Sequence, residues 1–246
     1  MREVEKEEIM DNATLNSIRN AEKASHIEIY STAKLFENGS WLQKPVKTVM
    51  DLVPNFINYQ SVKILDLGCG VGRNCIALAQ EFKNKSKIDC VDILEFAINE
   101  LNTNSIKFGV ESEINGIVSS IDDFSIPENN YDLIIAVSAL EHVDNIESFK
   151  YKLTEISKGI KENGIVCLII NSQITEINKE NGLPLFPQFE VNLKTQELLD
   201  LLNYNFDGWK IIKNTVRNQR YDIPRGNCVS DLTTDVVTYV ACKTAS

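Results

Sequence analysis

The chain of 246 residues and 27.8 kDa is long enough to bury a core without disulfide or metal staples, as one α/β domain with an N-terminal extension or as two small domains. Its 25 basic and 35 acidic residues leave a net charge of −10, which argues against a general affinity for nucleic-acid phosphates. No stretch approaches the ~18 apolar residues of a membrane span, and the acidic opening MREVEKEE lacks an apolar leader, so a cytoplasmic chain that avoids membranes is expected.

Residues 1–12 are mostly charged and are expected to fray. Over 13–36, Leu15, Ile18, Ile27, Tyr30 and Leu35 give a helical pattern that Glu37-Asn38-Gly39-Ser40 ends. Pro45 suits the first turn of a second helix with Val46, Val49, Met50 and Val53 as its apolar stripe, and Pro54 disturbs its last turn. Residues 1–60 thus read as an N-terminal helical segment, and 61–246 as the main domain. A buried strand at 63–67 is followed by a glycine turn at 68–72 and a helix at 73–82. Strand 87–91, helix 94–101 and a weak strand at 116–119 come next. The near-continuous apolar run at 131–137 is a strand with both faces covered. Helix 146–160 and strand 165–170 complete a βαβα rhythm, which predicts a parallel sheet with right-handed crossovers. Residues 173–190, with Gly182, Pro184, Pro187, Leu185, Phe186 and Phe189, read as an unusually apolar loop. A short helix at 195–202 and late strands at 209–213 and 235–243, joined by a long connection, suggest an antiparallel hairpin at the sheet edge.

Six cysteines (Cys69, Cys75, Cys90, Cys167, Cys228, Cys242) form no CxxC pair, and the two histidines, His26 and His142, lie far apart. Reduced thiols and no metal site are expected.

The strongest chemical signal is ILDLGCGVGRN at 64–74. Its glycines permit a sharp turn and close approach of a ligand to the main chain, and the helix start offers unpaired N–H groups. A dinucleotide site needs a small residue at the third position of GxGxxG, where this chain has Arg73. Asp66, two residues before Gly68, would repel a pyrophosphate and attract an ammonium group. That combination suits a zwitterionic ligand such as S-adenosylmethionine. Asp92, 20 residues past Gly72 at the end of the second strand, is placed to accept hydrogen bonds from both ribose hydroxyls.

ILDLGCGVGRN, then VDI, YDLIIAVSALEHV and IKENGIVCLII, resemble the class I S-adenosylmethionine-dependent methyltransferases. The motifs cover roughly residues 60–172; GCGVGRN and LPLFP before a short helix are similar to the tellurite-resistance branch. The resemblance implies a doubly wound, mostly parallel seven-stranded sheet, a Rossmann-like α/β fold, with a reversed strand near the C-terminus. It implies S-adenosylmethionine as cofactor and in-line methyl transfer to a small-molecule acceptor. Gly68, Cys69, Gly70 and Asn74 would lie at the cofactor, with Asp66 orienting its amino end. Asp92 would hold the ribose and Ile93 would sit beside the adenine. The usual acid before the fourth strand falls on Ser120, so Asp122 is the expected adenine-amino partner, with Ile121 packing on the ring. Val137 and Ser138 would lie near the sulfonium.

Around the acceptor, Trp41, His142, Phe186 and Arg220 are expected to line the site, under a lid made by the N-terminal helices and the 173–190 loop. His142 invites a general-base reading, but the resemblance points more to loop support or to lining the cofactor side, so positioning and desolvation are expected to carry catalysis. Arg217, Arg220 and Arg225 form a positive group read as a solvated loop or as a seat for an acidic substrate group. Two other functions remain open: a nicotinamide-dependent oxidoreductase, and a non-catalytic S-adenosylmethionine-binding regulatory module.

Overall fold

The computed structural model describes residue 30, residues 34–226 and residues 228–244. The helix expected over 13–36 falls almost wholly outside them. After Pro45 the chain makes a short helix α1 (Lys47–Met50) and a separate 3-10 turn (Val53–Phe56). Pro54 has no N–H to continue α1, so the single helix expected there is split.

The sheet contains β1 (Val62–Leu67), β2 (Ser86–Asp92), β3 (Ile114–Val118), β4 (Tyr131–Val137), β5 (Ile160–Asn178), the two-residue β6 (Pro184–Leu185), β7 (Lys210–Arg225) and β8 (Cys228–Cys242). Its main path runs β3-β2-β1-β4-β5-β8-β7, with β6 paired to β5 off that path. Strands β1 to β5 are parallel, and β8 lies antiparallel between β5 and β7. The strand order reverses between β1 and β4, which opens a crevice beyond their C-terminal ends.

Alternation within each strand builds two cores. Ile64, Ile88 and Ile135 face one side, where they meet Ile76 of α2 (Cys75–Phe82) and Leu101 of α3 (Glu95–Lys107). Leu65, Ile134 and Leu168 face the other, against Leu153 of α4 (Ile146–Gly159) and Leu198 of α5 (Thr195–Asn205). Each such buried leucine or isoleucine contributes about 1.5–3 kcal/mol. The double-sided burial explains the unbroken apolar runs of β1 and β4. Among the described residues, no helix is long and apolar enough to cross a membrane.

The C-terminal third corrects the sequence reading. β5 does not stop at residue 170 but continues to Asn178, into the region expected to be loop. Its polar side chains are bonded across the sheet: Ser172 donates to the Asp235 carbonyl at 2.9 Å, and Ser230 donates to the Glu176 carboxylate. The two late strands are far longer than expected and turn tightly at Gly226 (φ +57°) without a long connection. β7 is an edge strand with polar residues on both faces, so it lacks the alternation that betrays a half-buried strand.

Arg220 and Arg225 are therefore strand residues with internal partners. Arg220 forks onto Asp231. Arg225 places Nε 2.7 Å and Nη2 2.9 Å from the two carboxylate oxygens of the buried Glu176. Removing one member of such a pair strands a buried charge. Arg225→Ala is expected to cost about 3–5 kcal/mol, and loss of the exposed Arg217 side chain under about 1 kcal/mol. Urea unfolding of the two variants checks this; equal losses would show that the Glu176 pair is not a structural tie.

Candidate active site

At the end of β1 the chain turns through Gly68, Cys69 and Gly70 into α2. The N–H groups of Gly68 and Cys69 both donate to the Val91 carbonyl, at 2.8 and 3.0 Å. Gly68 has φ +71°, and a Cβ there would stand 2.4 Å from the Cβ of Ala139. Glycine is required for this close approach of the first turn to the turn after β4. Asp92 then braces the next loop: its Oδ2 accepts from Gly70 N–H at 2.8 Å, and its Oδ1 from Leu94 N–H at 2.9 Å.

A cavity of about 310 Å³ occupies the crevice. Gly68, Asp92 and Ile93 form its floor, and Ser120, Ile121, Asp122 and Asp123 come from the loop after β3. Ser138, Ala139 and His142 come from the turn after β4, with Glu190 and Tyr30 completing the wall. Ile93 presents an exposed apolar side chain there. Ser120 donates to Asp123 at 2.7 Å and accepts from its N–H at 3.0 Å. Asp122 accepts from the N–H of Asp144, at 3.2 and 3.3 Å to its two oxygens. Ser138 sits at φ +49°, an uncommon conformation for a residue with a side chain, and receives Asn171 Nδ2 at 3.4 Å. His142 Nδ1 stands 3.1 Å from Glu190 Oε2, and the ring stacks on Phe189 with centroids 5.0 Å apart.

Six of the expected cofactor residues (Gly68, Asp92, Ile93, Ile121, Asp122 and Ser138) thus meet around one cavity, with His142 from the expected acceptor set. Others lie behind or beside it. Asp66 is buried beneath the turn, and its Oδ2 has no hydrogen-bond partner among the described residues. Burial, then the nearby Asp92, pushes its pKa up to about 7. The Cys69 thiol is buried and pushed up to about 12, chiefly by desolvation, which leaves it unreactive. Gly70 lies against Tyr30, whose Oη would be 2.7 Å from a Cβ at that position. Asn74 accepts from Val46 N–H at 3.0 Å and so ties α1 to the glycine turn. Val137 packs with the core at the end of β4.

Trp41, Phe186 and Arg220 are not on the cavity wall. Trp41 stacks on Tyr30 at 6.3 Å and carries the Arg73 guanidinium 5.1 Å from its ring. Phe186 is exposed, and Arg220 is committed to Asp231. The sequence reading missed Glu190. Its only signal was an acid inside the apolar stretch LPLFPQFEV. Among the described residues, no group of three or more His, Cys, Asp or Glu is arranged to hold a metal ion.

The sequence pattern of a family described as a methyltransferase domain matches residues 59–229. A ubiquinone biosynthesis O-methyltransferase of Rickettsia akari is 31% identical over 108 residues, which is 44% of this chain and 39% of that protein. The chain thus matches well under half the length of that curated relative. TehB from Haemophilus influenzae has a similar fold, with a TM-score of 0.58 at 19% identity over 79% of this chain and 62% of that one. A SAM-dependent methyltransferase from Methanosarcina mazei gives 0.56 at 16% identity, over 82% of this chain and all (100%) of that one. At these identities the two structures bear on fold alone.

The raised pKa of Asp66 has a definite consequence for stability. The unfolded chain releases this proton near pH 4, and the folded chain near pH 7. Between those values the folded state holds more protons, so stability falls as pH rises from about 4 to about 7. Asp66→Asn removes that fall. The variant is expected to exceed the native chain above pH 7 by an amount on the order of a few kcal/mol, the gap closing toward pH 4. Urea unfolding of both proteins at pH 4, 6 and 8 tests this, and parallel pH curves would rule it out.

Proposed function

This chain belongs to the class I S-adenosylmethionine-dependent methyltransferases, and from that premise we propose that it methylates a small-molecule acceptor by in-line displacement. The observation that carries the reading is Asp92: a carboxylate at the end of β2 that faces the cavity beside a glycine turn too tight for any side chain. Carboxylate oxygens accept from ribose hydroxyls, and the second acid, Asp66, is the one that would repel a pyrophosphate at the glycine turn. The orphaned oxygen of Asp66 suits an ammonium donor in the same way. A cavity near 310 Å³ falls within the range of small-molecule sites. The residues present therefore fit the donor.

When bound, S-adenosylmethionine supplies an electrophilic methyl group on a sulfonium. In this reading the main chain at Gly68, Cys69 and Gly70 holds its amino-acid portion and Asp66 orients the amino end. Asp92 takes the ribose hydroxyls, and Ile93 and Ile121 flank the adenine. Asp122 meets the adenine amino group, and Val137 and Ser138 border the sulfonium. Asn74 acts indirectly, by anchoring α1 over the turn. Tyr30, on the cavity wall, supports a covering role for the described residues before β1. The relatives named as O-methyltransferases support an oxygen nucleophile. Alignment of donor and acceptor in the cavity supplies much of the rate.

Calorimetry with S-adenosylmethionine, S-adenosylhomocysteine and NAD separates this reading from a nicotinamide enzyme. Asp92→Ala is expected to weaken donor affinity at least tenfold, since hydrogen bonds to a charged group are worth about 1.5–3 kcal/mol. Binding of NAD alone would falsify the proposal. Formation of S-adenosylhomocysteine across an acceptor panel separates a catalyst from a module that only binds the donor.

A further inference from the structure

His142 ends the 3-10 turn that follows β4 (Leu140–His142), on the cavity wall beside Ser138 and Ala139. Glu190 comes from 48 residues further on, and its side chain is only 2% exposed. Several bonds bring it there. Val191 N–H donates to the Glu141 carbonyl at 3.0 Å, and Gln173 N–H to the Leu193 carbonyl at 2.7 Å. Asn192 exchanges two bonds of 2.8 Å with the main chain of Ile174. Phe189 closes over the imidazole with an interplanar angle of 24°. The ring is thus fixed by a carboxylate at one edge and an aromatic face on one side. A carboxylate only accepts, so Nδ1 carries the proton and Nε2 is the basic nitrogen of the neutral ring.

We propose that His142, positioned by Glu190, is the general base of this enzyme, and that its acceptor is a phenol-like hydroxyl. This rests on the methyltransferase reading above and departs from the expectation that His142 only supports the loop. A thiolate or carboxylate acceptor needs no base, whereas a phenol with a pKa near 10 is almost wholly protonated at neutral pH. The acceptor O–H bond breaks toward Nε2, and the oxygen electron pair forms the bond to the methyl carbon. The carbon–sulfur pair stays on sulfur as the sulfonium becomes a neutral thioether. The imidazolium then returns its proton to water. Glu190 stabilises the imidazolium in the interval. Among the described residues, the other charged groups in this turn or on the cavity wall are acids too: Glu141 in the same turn, Asp144 just beyond it, Asp122 and Asp123 after β3, and Asp92 after β2.

The chain has two histidines, so His26→Gln leaves one imidazole to observe. Nitrogen-15 NMR of that protein is expected to show the neutral ring protonated at Nδ1, and to show this preference lost in Glu190→Ala. A native ring protonated at Nε2 overturns the positioning role. Turnover supplies the second readout, with catechol and with 4-nitrophenol, which is already largely ionised at pH 8. His142→Ala is expected to lower kcat on catechol by about 10²–10⁴-fold, to lower it less than tenfold on 4-nitrophenol, and to leave S-adenosylmethionine affinity within twofold. The native kcat on catechol should rise with pH along an acid limb that the variant lacks. Equal losses on the two phenols refute the base. Donor binding without turnover of either phenol refutes the acceptor class and leaves the methyltransferase reading intact. Failure to bind the donor refutes both.

Discussion

The hydrogen bond from Gly70 N–H to the Asp92 carboxylate joins the two loops on which the cavity is built. One loop follows β1 and the other follows β2, and parallel pairing of these strands brings their C-terminal ends level. The same carboxylate holds Leu94 N–H, so it also sets the entry into α3. Gly68 completes the arrangement from the other side, where it admits Ala139 closer than any side chain would allow. Three loops from three adjacent strands are thereby locked at the point where strand order reverses. An open site is built with few contacts of its own because the sheet beneath carries the packing.

Electrostatics runs against stability in the same place. Asp66 and Asp92 are neighbouring carboxylates close to the turn, and burial with their mutual repulsion keeps the Asp66 proton on to about pH 7. An apolar residue at 66 would fit the strand better, since Ile64, next to it on the same face of β1, is fully buried. A polar oxygen left without a partner in such surroundings costs about 1–3 kcal/mol. Such a cost is characteristic of a position that meets its partner only when a ligand arrives. In the proposed reading a cationic amino group restores the missing interaction, whereas a diphosphate would bring more negative charge to a place where two acids already repel each other.

The parallel half of the fold was legible because each strand there is buried on both faces and each helix on one. The apolar runs of β1 and β4 and the glycine turn between β1 and α2 are local signals, and the structure places them as expected. Legibility failed where polar residues are satisfied by distant partners. Glu176, Ser230 and Arg225 fall in stretches that read as loop or connection in the sequence, yet they bond one another across β5, β8 and β7. Arg220 looked like a seat for an anion because its partner, Asp231, lies on the neighbouring strand. Likewise Trp41 stacks on Tyr30 beside the cavity wall, and only the placement of Tyr30 reveals this.

The overrun of β5 also accounts for Glu190. Extension to Asn178 carries the chain outward, the reversal at Gly182 and the short β6 turn it back, and residues 186–194 return along β5 to the cavity edge. The return is registered just after Glu190 by bonds at Val191, Asn192 and Leu193, which is how a residue in a connecting segment is held to the geometry of the sheet. Phe189 faces the imidazole and Phe186 faces solvent, three residues apart on the same segment. The apolar character that marked this stretch as unusual therefore serves two different surroundings, and the acid between its aromatic and aliphatic residues is the part that reaches the site.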